Sequence, residues 1–210
     1  MKITKYEHAC LDIVEQGTRI LIDPGKFTAS LTDLNNISAV VITHIHGDHF
    51  SPQIIQGVVQ ANLDVKIFST KEVVQKINSN AEVAMLGRRY TVRNFTLEFF
   101  GEKHAEIDPQ TPVVENIGVF VNNKLYYPGD SFTECPKPFE ALAVPASAPW
   151  LRVGQTIPLI ENSQCKLVFP MHNALLSEIG HATTNNWLQK FAERADKKFT
   201  YLKPSESIEV

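Results

Sequence analysis

Apolar residues along this chain alternate or gather in short runs more often than they recur at helical spacing, so most of the elements they predict are strands. Residues 3–7, 9–15 and 18–23 read as a meander, with Gln16-Gly17 as a turn and Asp23-Pro24-Gly25 ending the third strand. Ser38-Ala39-Val40-Val41-Ile42 is a β-branched run and reads as a buried strand. Ser51 as N-cap and Pro52 at the first helical position open a helix over 52–61. A strand over 65–68 and a helix over 70–78 follow. Residues 90–92 and 95–100 read as paired strands, and 117–121 with 124–127 as a hairpin turning at Asn122-Asn123. Later, 141–144 and 166–169 are apolar strands leading into prolines. Between them a helix is expected over 153–161, weakened by Pro158. An amphipathic helix over 183–195 and a strand over 199–202 close the chain. Hairpins followed by strand–helix units occur in both halves, which suits two packed sheets with helices outside, in one domain over 1–210.

The densest chemistry lies just past the 38–42 strand, in Thr43-His44-Ile45-His46-Gly47-Asp48-His49-Phe50. His44 and His46 are two apart, so an extended segment turns both imidazoles to one side. Gly47 permits a turn, after which Asp48 and His49 face the other way. Imidazole and carboxylate are the usual ligands of divalent transition metals. This loop offers more ligands than one ion takes from so short a segment, which suggests two ions. A structural zinc site would be closed and rich in thiolates, but Cys10, Cys135 and Cys165 lie far from the loop and from one another. An open, catalytic site is expected instead.

Further ligands should lie at other strand ends. His104 follows the 95–100 strand, Asp130 the 124–127 strand and His172 the 166–169 strand. With these residues in hand, the chain resembles the metallo-β-lactamase superfamily of metal-dependent hydrolases. The H-x-H-x-D-H pattern stands at His44, His46, Asp48 and His49, and Asp23, His104, Asp130 and His172 match the other family positions. YEHACLDIVEQGTRILIDPG and PASAPWLRVGQTI are similar to the branch of L-ascorbate-6-phosphate lactonase-like proteins. The resemblance implies a four-layer αββα sandwich of two mixed sheets. It implies that His44, His46 and His104 hold one divalent ion, that Asp48, His49 and His172 hold another, and that Asp130 bridges them. Zinc is the expected metal, with manganese and iron as alternatives. Asp23 makes a good Asp-Pro-Gly turn, and the resemblance adds the role of orienting a ligand histidine. Asp48 is expected to orient the nucleophile and accept its proton. His8, Trp150, Arg152 and His181 are candidates for the substrate pocket. His181 is read as a loop or capping-region residue before the last helix, and Trp150 and Arg152 read equally well as a packed ring and a solvated cation.

Two ions sharing a water lower its pKa, which serves hydrolysis of a small-molecule ester, lactone or phosphoester without a Ser or Cys nucleophile. Iron in the same site would support thiol or oxygen chemistry, and a metal-binding sensor without turnover is a third reading. Diiron relatives carry Glu where this chain has His46, which disfavours diiron redox chemistry. Composition narrows the partners. A net charge of -3 without a basic run argues against nucleic acid and against a polybasic membrane segment. The start MKITKYEHACLDIVEQ has no apolar signal core, and an odd cysteine count fits a reducing compartment, so a cytoplasmic location is expected. A homo-oligomer stays open.

Overall fold

The central strands of this chain bury both faces, and the reason is visible in which residues share a face. In a computed structural model that describes residues 1–77 and 79–210, the first half forms β1 (Lys2–Lys5), β2 (Leu11–Glu15), β3 (Thr18–Ile22), β4 (Ile37–Ile42), β5 (Lys66–Ser69) and β6 (Ala81–Val83). The second half forms β7 (Tyr90–Val92), β8 (Phe95–Phe100), β9 (Gly118–Val121), β10 (Leu125–Tyr127), β11 (Ala141–Pro145), β12 (Leu167–Met171) and β13 (Lys198–Phe199). A last strand, β14 (Ser207–Glu209), returns to pair with β1. The helices are α1 (Pro52–Ala61), α2 (Lys71–Val74), α3 (Ile157–Asn162) and α4 (Glu178–Arg194).

These strands make two seven-stranded mixed sheets, ordered β14-β1-β2-β3-β4-β5-β6 and β13-β12-β11-β10-β9-β8-β7. Each begins as antiparallel hairpins and continues as parallel strands. Alternate residues divide between three apolar clusters. Ile20, Ile22, Ala39 and Val41 meet Leu97, Phe99, Val119 and Phe169 between the sheets. Leu21, Val40 and Ile42 face outward to Ile55 and Val58 of α1. Phe120, Leu142 and Val168 face outward to Ile160 of α3 and to Leu188 and Phe191 of α4. Strict two-residue alternation thus yields the expected αββα sandwich, each fully buried Leu, Ile or Phe contributing about 1.5–3 kcal/mol.

Helix starts follow the side chains that cap them. Ser51 Oγ accepts from Ile54 N–H with Pro52 in the first turn, as expected. The expected 153–161 helix is broken: residues Val153–Thr156 form a 3-10 turn and α3 begins at Ile157, with Pro158 in its first turn where its missing N–H costs nothing. The last helix starts five residues earlier than the pattern suggested, because Ser177 Oγ accepts from Gly180 N–H and caps it. His181 therefore lies in the capped first turn of α4, its N–H bound to the Ser177 carbonyl, and not in a loop. The 70–78 helix is shorter than expected, ending at Val74, and its last expected position, 78, lies outside the described residues. The 199–202 strand also shrinks, to Lys198–Phe199. Residues 8 and 9, expected to flank or begin strands, lie in a turn between β1 and β2.

Topology delivers the chemistry to one end. β1, β3 and β4 run the same way, as do β8, β10, β11 and β12. His8 follows β1, Asp23 follows β3 and the 43–49 loop follows β4. His104 follows β8, Asp130 follows β10, Trp150 follows β11 and His172 follows β12. All lie past carboxyl ends of strands, where open α/β sheets place their sites.

Candidate metal centre

Asp23 is the anchor on the first sheet. It sits at φ 48°, in the left-handed region that short polar side chains tolerate, and its carboxylate is completely buried. Oδ1 accepts the Thr43 backbone N–H at 2.7 Å, and Oδ2 accepts the Thr43 hydroxyl at 2.7 Å and His49 Nδ1–H at 2.6 Å. Because the Thr43 hydroxyl donates to Asp23, its lone pair accepts from His44 Nδ1, 3.0 Å away. The 23–25 turn presses on the loop so closely that a Cβ on Gly25 would lie 1.8 Å from the Asp48 carbonyl oxygen.

On the second sheet the anchors are main-chain carbonyls. His104 Nδ1 donates to Ala105 O at 2.5 Å and His172 Nδ1 donates to Ser147 O at 2.6 Å. Gly129, at φ 63°, passes so close to Thr43 that a Cβ would lie 2.8 Å from that side chain. The close approach sets Asp130 beneath the loop, and its backbone N–H is held by Asn116 Oδ1 at 3.0 Å.

These anchors turn every remaining ring nitrogen inward. The Nε2 atoms of His44, His49, His104 and His172, together with Asp130 Oδ1, are buried without a hydrogen-bond partner. Yet the same atoms crowd together. Asp130 Oδ2 lies 3.0 Å from His172 Nε2, 3.3 Å from His104 Nε2 and 3.8 Å from His44 Nε2, while Oδ1 lies 3.1 Å from His49 Nε2. They are near but not aligned for hydrogen bonding, as atoms converging on a common centre would be. An unsatisfied buried polar atom costs about 1–3 kcal/mol, so five in one place call for a partner that accepts lone pairs. Divalent metal ions meet that description, and the donor set fits them. Two groups could hold ions: His44, His46 and His104; and Asp48, His49 and His172 with His8 beside them. His44, His49 and Asp130 form a third cluster between them.

Electrostatics in the protein differ across the centre. Burial, with neighbouring imidazoles, holds His44 and His46 below the ordinary histidine range. Burial would lower His172 too, but Asp130 overrides it and raises His172 to about 9. Burial would raise Asp48, but the His172 ring 3.4 Å away and the hydrogen bond from His8 hold it well below the ordinary carboxylate range. Asp48 is thus ionised at neutral pH and acts as an acceptor.

The seven expected ligands converge, and His46 and Asp48 are the only ones of them not buried, so the centre opens on their side. Asp23 stands where a residue orienting a histidine should stand. The pocket candidates divide. Trp150 is 7% exposed and sits inside the site: its indole N–H donates to Asp130 Oδ2 at 3.1 Å and its ring packs on His104 and His172. Arg152 is exposed, and its backbone N–H binds Gln155. His181 is in none of the ligand groups among the described residues and packs against Tyr201 of the carboxyl-terminal segment. His8 is 1% exposed and reaches Asp48 Oδ2 at 3.0 Å. Two neighbours escaped the sequence reading. Lys26 lies over Gly47, its Nζ 3.2 Å from where a Cβ would be, and Ile107 lines a small cavity of about 30 Å³ with His46 and His104.

The chain is similar to several known proteins. Protein Rv0786c of Mycobacterium tuberculosis is 27% identical over 183 residues, 84% of this chain and 86% of that protein. A UPF0173 metal-dependent hydrolase of Carboxydothermus hydrogenoformans is 25% identical over 191 residues, 82% of this chain and 84% of its own length. The structure of Igni18, a metallo hydrolase from Ignicoccus hospitalis, covers 99% of this chain and 97% of its own with a TM-score of 0.73 at 18% identity. The family model described as Beta-lactamase superfamily domain matches residues 2–172, from β1 through the last of the converging histidines. With that span and a metallo-β-lactamase sandwich carrying the cluster at its strand ends, the chain belongs to the β-lactamase superfamily.

Proposed function

We propose that this protein is a metal-dependent hydrolase that holds two divalent ions. His44, His46 and His104 would hold one, Asp48, His49 and His172 the other, and Asp130 would be the ligand they share. The observation that carries the reading is the set of buried, unpartnered Nε2 and carboxylate atoms converging on one space. Relatives named metal-dependent hydrolases support it. An all-nitrogen-and-oxygen donor set suits zinc, manganese or iron.

Bound there, divalent ions supply Lewis acidity and lower the pKa of water toward neutrality. The chain's own residues do the rest. Asp48, ionised and partly exposed at the mouth, orients the attacking water and accepts its proton. Asp23 and Thr43 hold His44 and His49 in the tautomer that presents Nε2. Trp150 excludes water from behind Asp130 and fixes its Oδ2. The Lys26 ammonium, beside Gly47, places a cation at the entrance. That cation favours a substrate with an anionic group next to the scissile bond, such as a phosphorylated lactone or a phosphoester, over a neutral ester.

A panel of lactones, carboxylate esters, phosphomonoesters and phosphodiesters, assayed with zinc- and manganese-loaded protein, tests the proposal. Metal-dependent turnover, lost on chelation, is expected, with anionic substrates preferred. Iron at stoichiometry with oxygen consumption, or no hydrolysis across the panel, would contradict it.

A further inference from the structure

His8 is the one histidine near the centre that none of the assigned roles uses. Its backbone is at φ 60°, a conformation that residues with a side chain seldom adopt without a reason. The turn that imposes it is tied to the site, since the His8 carbonyl accepts the His172 N–H at 2.8 Å. The ring is enclosed by His172, Phe27 and His49, with centroids 3.9, 5.2 and 6.0 Å away.

Two contacts determine which form the ring takes. Nδ1 faces the backbone N–H of Ala174 at 3.3 Å. A peptide N–H only donates, so Nδ1 carries a lone pair and the proton of the neutral ring sits on Nε2. Nε2 lies 3.0 Å from Asp48 Oδ2, which accepts that proton's hydrogen bond. His44, His49, His104 and His172 are the reverse. Their Nδ1 atoms face Thr43 Oγ1, Asp23, Ala105 O and Ser147 O, which accept an N–H from Nδ1, so that in the neutral ring Nε2 keeps its lone pair. By distance alone His8 groups with Asp48, His49 and His172 as a ligand. Its tautomer removes it from that group.

We propose that His8 is a positioning residue: a fixed Nε2–H holds Asp48 Oδ2 beside His49 and His172, and so shapes the site of the second ion without ligating it. The proposal rests on the two-ion reading above. Oδ2 lies 3.4 Å from His172 Nε2 and 3.9 Å from His49 Nε2, on a carboxylate that is otherwise the least buried part of that group. One directed bond from a buried ring keeps it from swinging toward solvent. The same residue joins the turn after β1, the metal loop after β4 and the 172–174 segment after β12, so it also sets the spacing between the two sheets at this point.

Zinc titration against a chromophoric chelator separates the outcomes, using wild type, His8→Leu and His8→Gln with folding followed by circular dichroism. Wild type is expected to bind two ions. His8→Leu should keep the affinity of the first and weaken the second by roughly 10–100-fold, the usual effect of losing a partner of a ligand. His8→Gln, which restores an N–H at a similar reach, should regain most of it. A merely structural role would neither split the two ions nor be rescued by an amide. Unchanged second-ion affinity in His8→Leu would overturn the proposal and leave the two-ion reading standing. A single ion in wild type would overturn both. Independently of any variant, nitrogen-15 spectra of histidine-labelled, zinc-loaded protein should show His8 Nδ1 unprotonated and Nε2 protonated. A protonated Nδ1 with Nε2 on the metal would overturn the proposal.

Discussion

His44 and His49, from the first sheet, hang on side chains: the Thr43 hydroxyl and the Asp23 carboxylate, themselves hydrogen-bonded to each other. His104 and His172, from the second sheet, hang on main-chain carbonyls of Ala105 and Ser147. Both arrangements set the same tautomer and leave the same atom facing inward, by different means. A side-chain anchor concentrates control of two histidines in one carboxylate, which a single substitution removes. A carbonyl anchor depends on the path of the backbone, and changing the residue that supplies the oxygen leaves it in place. The first sheet's half of the centre should therefore be fragile toward point substitution and the second sheet's half robust.

The largest break expected is steric. Gly25→Ala puts a methyl group 1.8 Å from the Asp48 carbonyl oxygen, a backbone atom that cannot step aside. Destabilisation well beyond the ~1–3 kcal/mol of ordinary overpacking is expected in chemical denaturation, with loss of zinc binding. A folded, metal-binding variant would show that the turn and the loop are not wedged together. Asp23→Ala comes next. It strands the Thr43 N–H and hydroxyl and His49 Nδ1, so about 2–3 kcal/mol of stability and 10–100-fold in zinc affinity should go together. Ser147→Ala is the matched control on the other sheet. It keeps the carbonyl that holds His172, and zinc affinity should stay within about 2-fold by calorimetry. A large loss there would erase the distinction between the two halves.

The comparison extends into the sandwich. Inward-facing positions on β8, which leads to His104, end in Phe99, whereas those on β1, which leads to His8, end in Lys5, 1% exposed. Burial lowers the Lys5 ammonium to about 8, with Glu7 and Cys10 opposing, and its Nζ donates to the Tyr6 carbonyl. The folded value lies below the unfolded one, so the unfolded chain binds the extra proton between about pH 8 and 10.5. The penalty is full below pH 8 and is relieved as pH rises through that window. Lys5→Met should raise stability by on the order of 2 kcal/mol at pH 7 and by progressively less above pH 8, as thermal melts across that range would show. A gain that does not depend on pH would mean that the ammonium is not what burial penalises.

The same contrast explains what the sequence made legible. The first sheet's ligands lie within one loop, and strand, glycine and helix start were enough to place them on both sides of a turn. His104, Asp130 and His172 are scattered; their places just past apolar strands single them out, and the family resemblance adds how they share the ions, because what unites them is that β8, β10 and β12 run in one direction. His8 carries no local sign of its role, which depends on Ala174, 166 positions away, and on the form of its own ring. Trp150 read equally well as a packed ring or a pocket wall, since nothing local announces a hydrogen bond to Asp130. β6 and β14 were missed because three-residue edge strands with polar faces carry no alternation to detect. The apolar pattern places the start of the last helix too late because Gly180 interrupts it just where Ser177 caps the helix.

Zinc stoichiometry, measured by mass spectrometry of the elements in desalted, zinc-loaded protein, tests the central claim most directly. Two ions per chain are predicted for wild type, falling to one or none in Asp130→Ala, since the Asp130 carboxylate lies within 3.0–3.8 Å of histidines of both groups. One ion in wild type, or two retained in Asp130→Ala, would contradict a bridged two-ion centre.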